Sequence, residues 1–172
     1  MRPLLAVIGV VLSTFVVSAP ALAAAPKAKQ AATAPGSVYK IAIDPGVSMA
    51  DAAESMRLRA NALNLQLVAE LPMSKQVEAV TGKPQRTITI FQFCDAVLAK
   101  DLIDVDMDFA IFMPCRIALI EDAKGGGWLV MMDVSVDAVA KEKRLPAALK
   151  TRVEGVRKSL VEIMQAGAKG EL

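Results

Sequence analysis

Two cysteines carry most of the chemistry that this composition allows. Cys94 ends a run of alternating apolar and β-prone residues, and Cys115 lies inside a second such run. Histidine is absent. That removes the Ser-His-Asp triad, the Cys-His dyad, the C-x-x-C-H haem attachment and the H-E-x-x-H zinc helix. Three roles stay open for the pair. The thiols are structural, either buried and free or joined in a disulfide, which an even count in an oxidising compartment invites. Alternatively they handle sulfur or redox equivalents, with Arg116 beside Cys115, or Lys100 beyond Cys94, lowering a thiol pKa on approach. Arg116 falls on the opposite strand face from Cys115, which weakens that idea. In the third role they join methionine thioethers in a soft-metal site suited to Cu(I). Met113 shares a strand face with Cys115, about 7 Å away at two residues of rise. Against a metal, no M-x-x-M cluster occurs among the 9 methionines, and methionine is a common core filler.

Other candidates read as structure. Asp101, Asp104, Asp106 and Asp108 form an acidic run. It lacks the glycine and terminal acid of a Ca²⁺ loop, and reads as a solvated helix-to-strand connection. Gly125-Gly126-Gly127 precedes no helix start, so it is a hairpin turn and no phosphate cradle. Arg116, Glu121 and Asp122 suggest a surface ion pair of little energetic weight. Asp95 follows Cys94 and suits a helix N-cap. No catalytic set, cofactor motif or metal-ligand set is recognisable.

Length and composition bound the rest. The chain has 172 residues, 54% hydrophobic and 22% charged, with a net charge of +2. One domain with a real core fits, and no basic stripe for nucleic acid is present. The opening residues form a leader. Met1-Arg2-Pro3 is a short positive start, an apolar run follows to Val17, and Ala21-Leu22-Ala23 is an A-x-A site. We expect a Sec-type signal peptide over 1–23, cut after Ala23, and hence a periplasmic or secreted protein. Residues 24–37, rich in Ala, Pro and Lys, read as a disordered linker. No later run reaches spanning length, so no membrane span is expected after cleavage.

The elements that must position the cysteines follow from periodicity. Strands are expected over 38–43, 65–71, 86–94, 109–121 and 128–136, the last two joined as a hairpin around 122–127. Pro114 donates no ladder hydrogen bond, so an edge or bulge is expected there. Helices are expected over about 49–62, capped by Ser48 with Asp51 three residues on, over 74–80, and from Asp95 to about 103. After a charged connection at 141–144, a last helix starts at Pro146, carries Leu149, Val153, Val156, Leu160, Ile163 and Met164, and ends at Gly167. Mixed strands and helices with an obligatory hairpin give an α+β domain. It should be small and single, with a mainly antiparallel sheet and helices on one face.

This pattern resembles the domain-of-unknown-function 302 family (DUF302). The residues that carry the resemblance are Phe93-Cys94-Asp95-Ala96, Ala99-Lys100 and Met113-Pro114-Cys115-Arg116 with the apolar run to Glu121-Asp122. The helix start Ser48 to Ala53 and Leu71-Pro72-Met73-Ser74 look like exported members. The likeness covers about 38–136, and 137–172 is similar to a C-terminal connection and helix of those members. It implies a small α+β fold with a TATA-binding-protein-like shape, and it implies neither DNA binding nor an activity. Family members often carry Asn-Pro where this chain has Asp95-Ala96. The expected function is therefore an exported ligand-binding or accessory module, with an unknown small ligand or periplasmic protein as partner and a homo-dimer as an option. A thiol-based redox or sulfur carrier using Cys94 and Cys115, and a Cu(I) binder, are the alternatives.

Overall fold

Alternation of side chains builds the sheet. In β3 (Ile88–Cys94), Phe91 and Phe93 face one way; in β4 (Cys115–Glu121), Ile117 and Leu119 do the same; in β5 (Gly127–Asp133), so do Leu129 and Met131. All six are buried. With β1 (Ser37–Ala42) and β2 (Gln66–Pro72) the strands form one open antiparallel sheet, ordered β1-β5-β4-β3-β2. The computed structural model describes residues 37–171. The expected leader, its cut and the linker up to residue 36 lie outside the described residues.

Two helices cover that face. The N-cap of α1 (Met49–Ala62) is Ser48, whose Oγ accepts from the Asp51 backbone N–H at 3.0 Å and donates to Asp51 Oδ2 at 2.7 Å. Its inner face of Ala52, Met56 and Ala60 meets Leu160, Ile163 and Met164 of α5 (Ala147–Lys169) over the sheet. Small residues on α1 let the two helices approach closely. The opposite sheet face carries Ile88, Ile90, Ala118, Ile120, Trp128 and Val130, all half-buried by their strand neighbours. Lys40 Nζ lies 4.7 Å from the Trp128 ring centroid there. The domain is thus α+β, with its long helices on one side of the sheet.

The hairpin is built as its sequence demands. Asp122 Oδ1 accepts from the backbone N–H of Lys124 and Gly126, and Oδ2 accepts from the Trp128 indole. Those three donors, the indole foremost, hold the Asp122 carboxyl below the usual range. Glu121 Oε2 accepts from the Thr87 backbone N–H at 3.0 Å. The expected ion pair with Arg116 does not form among the described residues: Arg116 is near the start of β4 and Glu121 at its end, about 16 Å apart at five residues of strand rise.

Three local readings are corrected. Residues 109–114 are not strand: Met107–Phe112 is a 3-10 helix, and β4 begins only at Cys115. Alternation would place Phe109 and Ile111 on one face, yet Phe109 is 4% exposed and Ile111 71%. Asp106 starts this turn, its Oδ1 accepting from the Asp108 N–H at 2.9 Å, and Phe109 drops onto Leu98 and Leu102 of α3 (Ala96–Val105). Tertiary burial of one aromatic outweighs a local β pattern. Next, β5 stops at Asp133, and Ser135 caps a short helix, α4 (Val136–Glu142), where a strand end and a connection were expected. Finally, Gly167 lies inside α5, which runs to Lys169 and ends on Gly170 at φ 65°. A short helix α2 (Met73–Thr81) follows β2 directly and ends at Gly82, also with positive φ. No helix of the described residues is long and apolar enough to cross a membrane.

Candidate functional site

The antiparallel order brings the end of β3, the start of β4 and the end of β5 to the same end of the sheet. Cys94, Cys115 and Asp133 stand there. Three connections leave or enter at this point: α3 after Cys94, the 3-10 segment before Cys115, and α4 after Asp133. Each sends apolar side chains back toward the first half of α5. They do not close completely. A cavity of about 190 Å³ remains between sheet end and helices, open to solvent. Leu98 and Leu102 of α3, Phe109 and Phe112, Val139 of α4, and Val153 and Val156 of α5 are part of its apolar wall.

The local structure around it is held by charge. Asp95 Oδ1 accepts from the Leu98 N–H at 2.9 Å, fixing the first turn of α3. The acidic run is consumed in ion pairs. Arg152 Nη1 meets Asp101 Oδ2 at 2.6 Å, Lys100 pairs with Asp104, and Lys143 pairs with both Asp106 and Asp108. Lys143 thereby ties the 3-10 segment to the end of α4, and its own pKa is raised, first by its bond to Asp108. Such exposed pairs contribute little individually. Together they fix the wall of the cavity, and no group of three or more acids and thiols placed to hold a metal ion occurs among the described residues.

Both cysteines line the cavity, half-buried and as free thiols. Cys115 pairs in register with Phe93, so Cys94 stands one residue further along the next strand and on the other sheet face. Burial pushes the Cys94 thiol up, and the neighbouring Asp95 carboxylate adds to it. Burial also pushes Cys115 up, reinforced by Cys94, while Arg116 pulls the other way more weakly. The two cations singled out for thiolate formation therefore do not prevail: Lys100 is engaged by Asp104, and Arg116 is outweighed by desolvation. Both groups stay protonated at neutral pH. A thiolate is the reacting species in alkylation. Iodoacetamide should therefore modify Cys94 and Cys115 severalfold more slowly at pH 7.5 in the native protein than in urea. The native rate should keep climbing above pH 9, and mass spectrometry on timed aliquots reads both. Fast native modification at pH 7 would contradict the desolvated setting.

Met113, expected beside Cys115, does line the cavity, and Met131 and Met132 line it too. Two residues had no signal of their own in the sequence. Arg157 of α5 donates from Nε and Nη2 to the two carboxylate oxygens of Asp133, at 2.6 and 2.8 Å. That fork holds the Asp133 carboxyl below its usual range. The apolar wall was visible only in part. Val153 and Val156 fall on the α5 stripe, but the sequence pattern puts Phe109 and Phe112 on a strand and Val139 in a connection. Ser135 followed by Val136, Val139 and Ala140 at helical spacing is the signal that could have found α4.

A model of the family described as "Domain of unknown function DUF302" matches residues 39–167. Among solved structures, the chain is similar to one titled "Crystal structure of uncharacterized conserved protein DUF302 from Bacillus stearothermophilus". The match has a TM-score of 0.60 at 13% identity, over 75% of this chain and 96% of that one. At that identity the likeness concerns the fold alone. No curated protein matches the chain.

Proposed function

We propose that this chain, which belongs to the DUF302 family, is a binding module that takes a small apolar ligand into the cavity at the sheet end. The observation that carries this reading is the cavity itself. It is lined mainly by aliphatic and aromatic side chains, has a few polar groups at one side, and is the site where the fold's three sheet-end connections meet. Ligand sites are commonly built this way, an apolar concavity with a small number of placed polar groups. The raised thiol pKa values weigh against nucleophilic sulfur chemistry, and neutral thiols are ordinary wall material. Export through the leader, cut after Ala23, would place the module in a periplasm, where soluble carriers of small apolar molecules have a use.

The test is a calorimetric titration of the purified protein with 1-octanol. Saturable one-to-one binding supports the reading. Val153→Phe and Ala99→Phe, which fill the cavity from α5 and from α3, should each weaken it by about tenfold or more, since a lost contact area worth 1.4 kcal/mol is a factor of ten. Circular dichroism confirms that the variants fold. Absence of any saturable heat with the wild-type protein would sink the idea.

One observation favours a second reading. Two thiols and three thioethers share the wall of one cavity, and soft donors select Cu(I). Anaerobic equilibrium dialysis against Cu(I) checks it. Stoichiometric uptake that Cys94→Ser and Cys115→Ser both abolish would establish a metal site, and no uptake would remove it.

A further inference from the structure

We propose, resting on the reading that the cavity binds a ligand, that the ligand is an anionic amphiphile whose charged head is held by Arg116 while its tail fills the cavity. The charged groups at the border of the cavity are Asp95, Arg116, Asp133 and Arg157. Three of them are spent. Asp95 caps α3 and lies 3.9 Å from Arg152. Asp133 and Arg157 hold each other in a two-point fork. Arg116 is exposed and has neither hydrogen bond nor ion pair among the described residues.

Its position suits a head group. Arg116 leads β4 just after Cys115, and its guanidinium lies within electrostatic reach of the Cys115 thiol on the cavity wall. Alternation puts Arg116 on the sheet face opposite Cys115, the face of Cys94 and Met132, and these three line the cavity where the strands end. A guanidinium presents a planar fork that matches carboxylate and phosphate oxygens, and an ion of that kind gains more from it than a neutral hydroxyl does. The interior offers nothing to a charge, so a ligand satisfying both regions has an apolar tail and one anionic end. The volume sets the tail. A cavity of 150 Å³ accepts benzene, so about 190 Å³ accommodates roughly six to eight carbon atoms. Carboxylate and phosphate heads share this chemistry.

The experiment compares octanoate, octyl phosphate and 1-octanol by calorimetry at pH 8 and low salt, on the wild-type protein, Arg116→Gln, Arg116→Lys and Arg157→Gln. An anionic ligand should bind about tenfold more tightly than octanol, the increment of one charge-assisted contact. Arg116→Gln should bring it down to the level of octanol and leave octanol unchanged. Arg116→Lys should recover part of the preference, and salt should erode it in the wild type. A stronger preference for octyl phosphate than for octanoate supports the proposal and assigns the head. Equal binding of octanol and both anions, with Arg116→Gln silent, overturns it while the cavity reading stands. Loss of the preference in Arg157→Gln but not in Arg116→Gln also overturns it. Binding of none of the three ligands removes the cavity reading as well.

Discussion

Gly167→Val is expected to lower the unfolding free energy by about 3 kcal/mol or more, beyond the usual cost of overpacking a core by one group. A Cβ at Gly167 would lie 2.6 Å from Met56 Cγ and 3.1 Å from both the Ala52 carbonyl oxygen and Leu129 Cδ1. Met56 is fully buried, so it has no free space to swing into, and the Ala52 oxygen belongs to the backbone of α1. The crossing of α1 and α5 would have to open, lifting both helices from the sheet. Gly155, twelve residues earlier in the same helix, has nothing within 4 Å of its would-be Cβ. Gly155→Ala should therefore stabilise by about 0.5–1 kcal/mol, the entropy that glycine loses in a helix interior. Urea unfolding of the two variants, read by far-UV circular dichroism, should give midpoint shifts of opposite sign. A Gly167→Val protein as stable as the wild type would mean that α5 does not pack on α1 as described.

That pair of glycines also shows where a one-dimensional reading stops. Helix starts were legible because their signals are local: Ser48 with Asp51, and Asp95 three residues before the Leu98 N–H, use side chains that cap within a few residues of themselves. The antiparallel sheet was legible because period-two alternation in 88–94 and 115–121 survives any tertiary detail. Gly167 reads as a helix end by the same local logic, since glycine commonly follows a last turn. What overrules it is a contact with α1, more than a hundred residues away in sequence, where only a hydrogen atom fits. The strand pattern from Phe109 onward misleads for a related reason. Phe109, Ile111 and Met113 alternate as strand residues do, and the partner that selects the 3-10 turn, the Leu98 and Leu102 face of α3, is not visible in the pattern.

The candidate site divides along the same line. Residue chemistry picked out Cys94, Cys115, Met113, Arg116 and Asp95, and the fold brings all five to the cavity. Lys100 was picked for its charge and turns away to Asp104. Spacing alone could not show that the cavity exists, because it is a shortfall in packing among four elements. Nor could spacing show that Asp133 and Arg157 meet, since one ends a strand and the other lies in mid-helix. What a sequence transmits poorly is which cations are already neutralised. Arg116 gains its significance only once Arg157, Arg152 and Lys143 are seen to have carboxylate partners.

Two aromatic truncations should separate the part of the domain that is packed tightly from the part that is not. Phe91→Ala is expected to cost about 4 kcal/mol, the range for removing a buried aromatic from a core. Phe91 is 0% exposed, its ring centroid is 6.4 Å from that of Phe93, and the Arg57 guanidinium carbon sits 5.6 Å from its own centroid. Neighbours from α1 and β4 are fixed by their own packing and cannot collapse into the space. Phe112, by contrast, is half-buried at the cavity wall, tilted against Phe109 at 6.5 Å. Its surroundings are already loose, so Phe112→Ala should cost only about 1 kcal/mol, the common size of a point substitution outside the core. The same change should enlarge the cavity and shift its preference from eight-carbon to longer alcohols. Chemical unfolding and a titration series from hexanol to dodecanol measure both effects. If Phe112→Ala unfolds the domain as readily as Phe91→Ala does, the cavity wall is as tightly packed as the core, and the space beside it would be too rigid to admit a ligand.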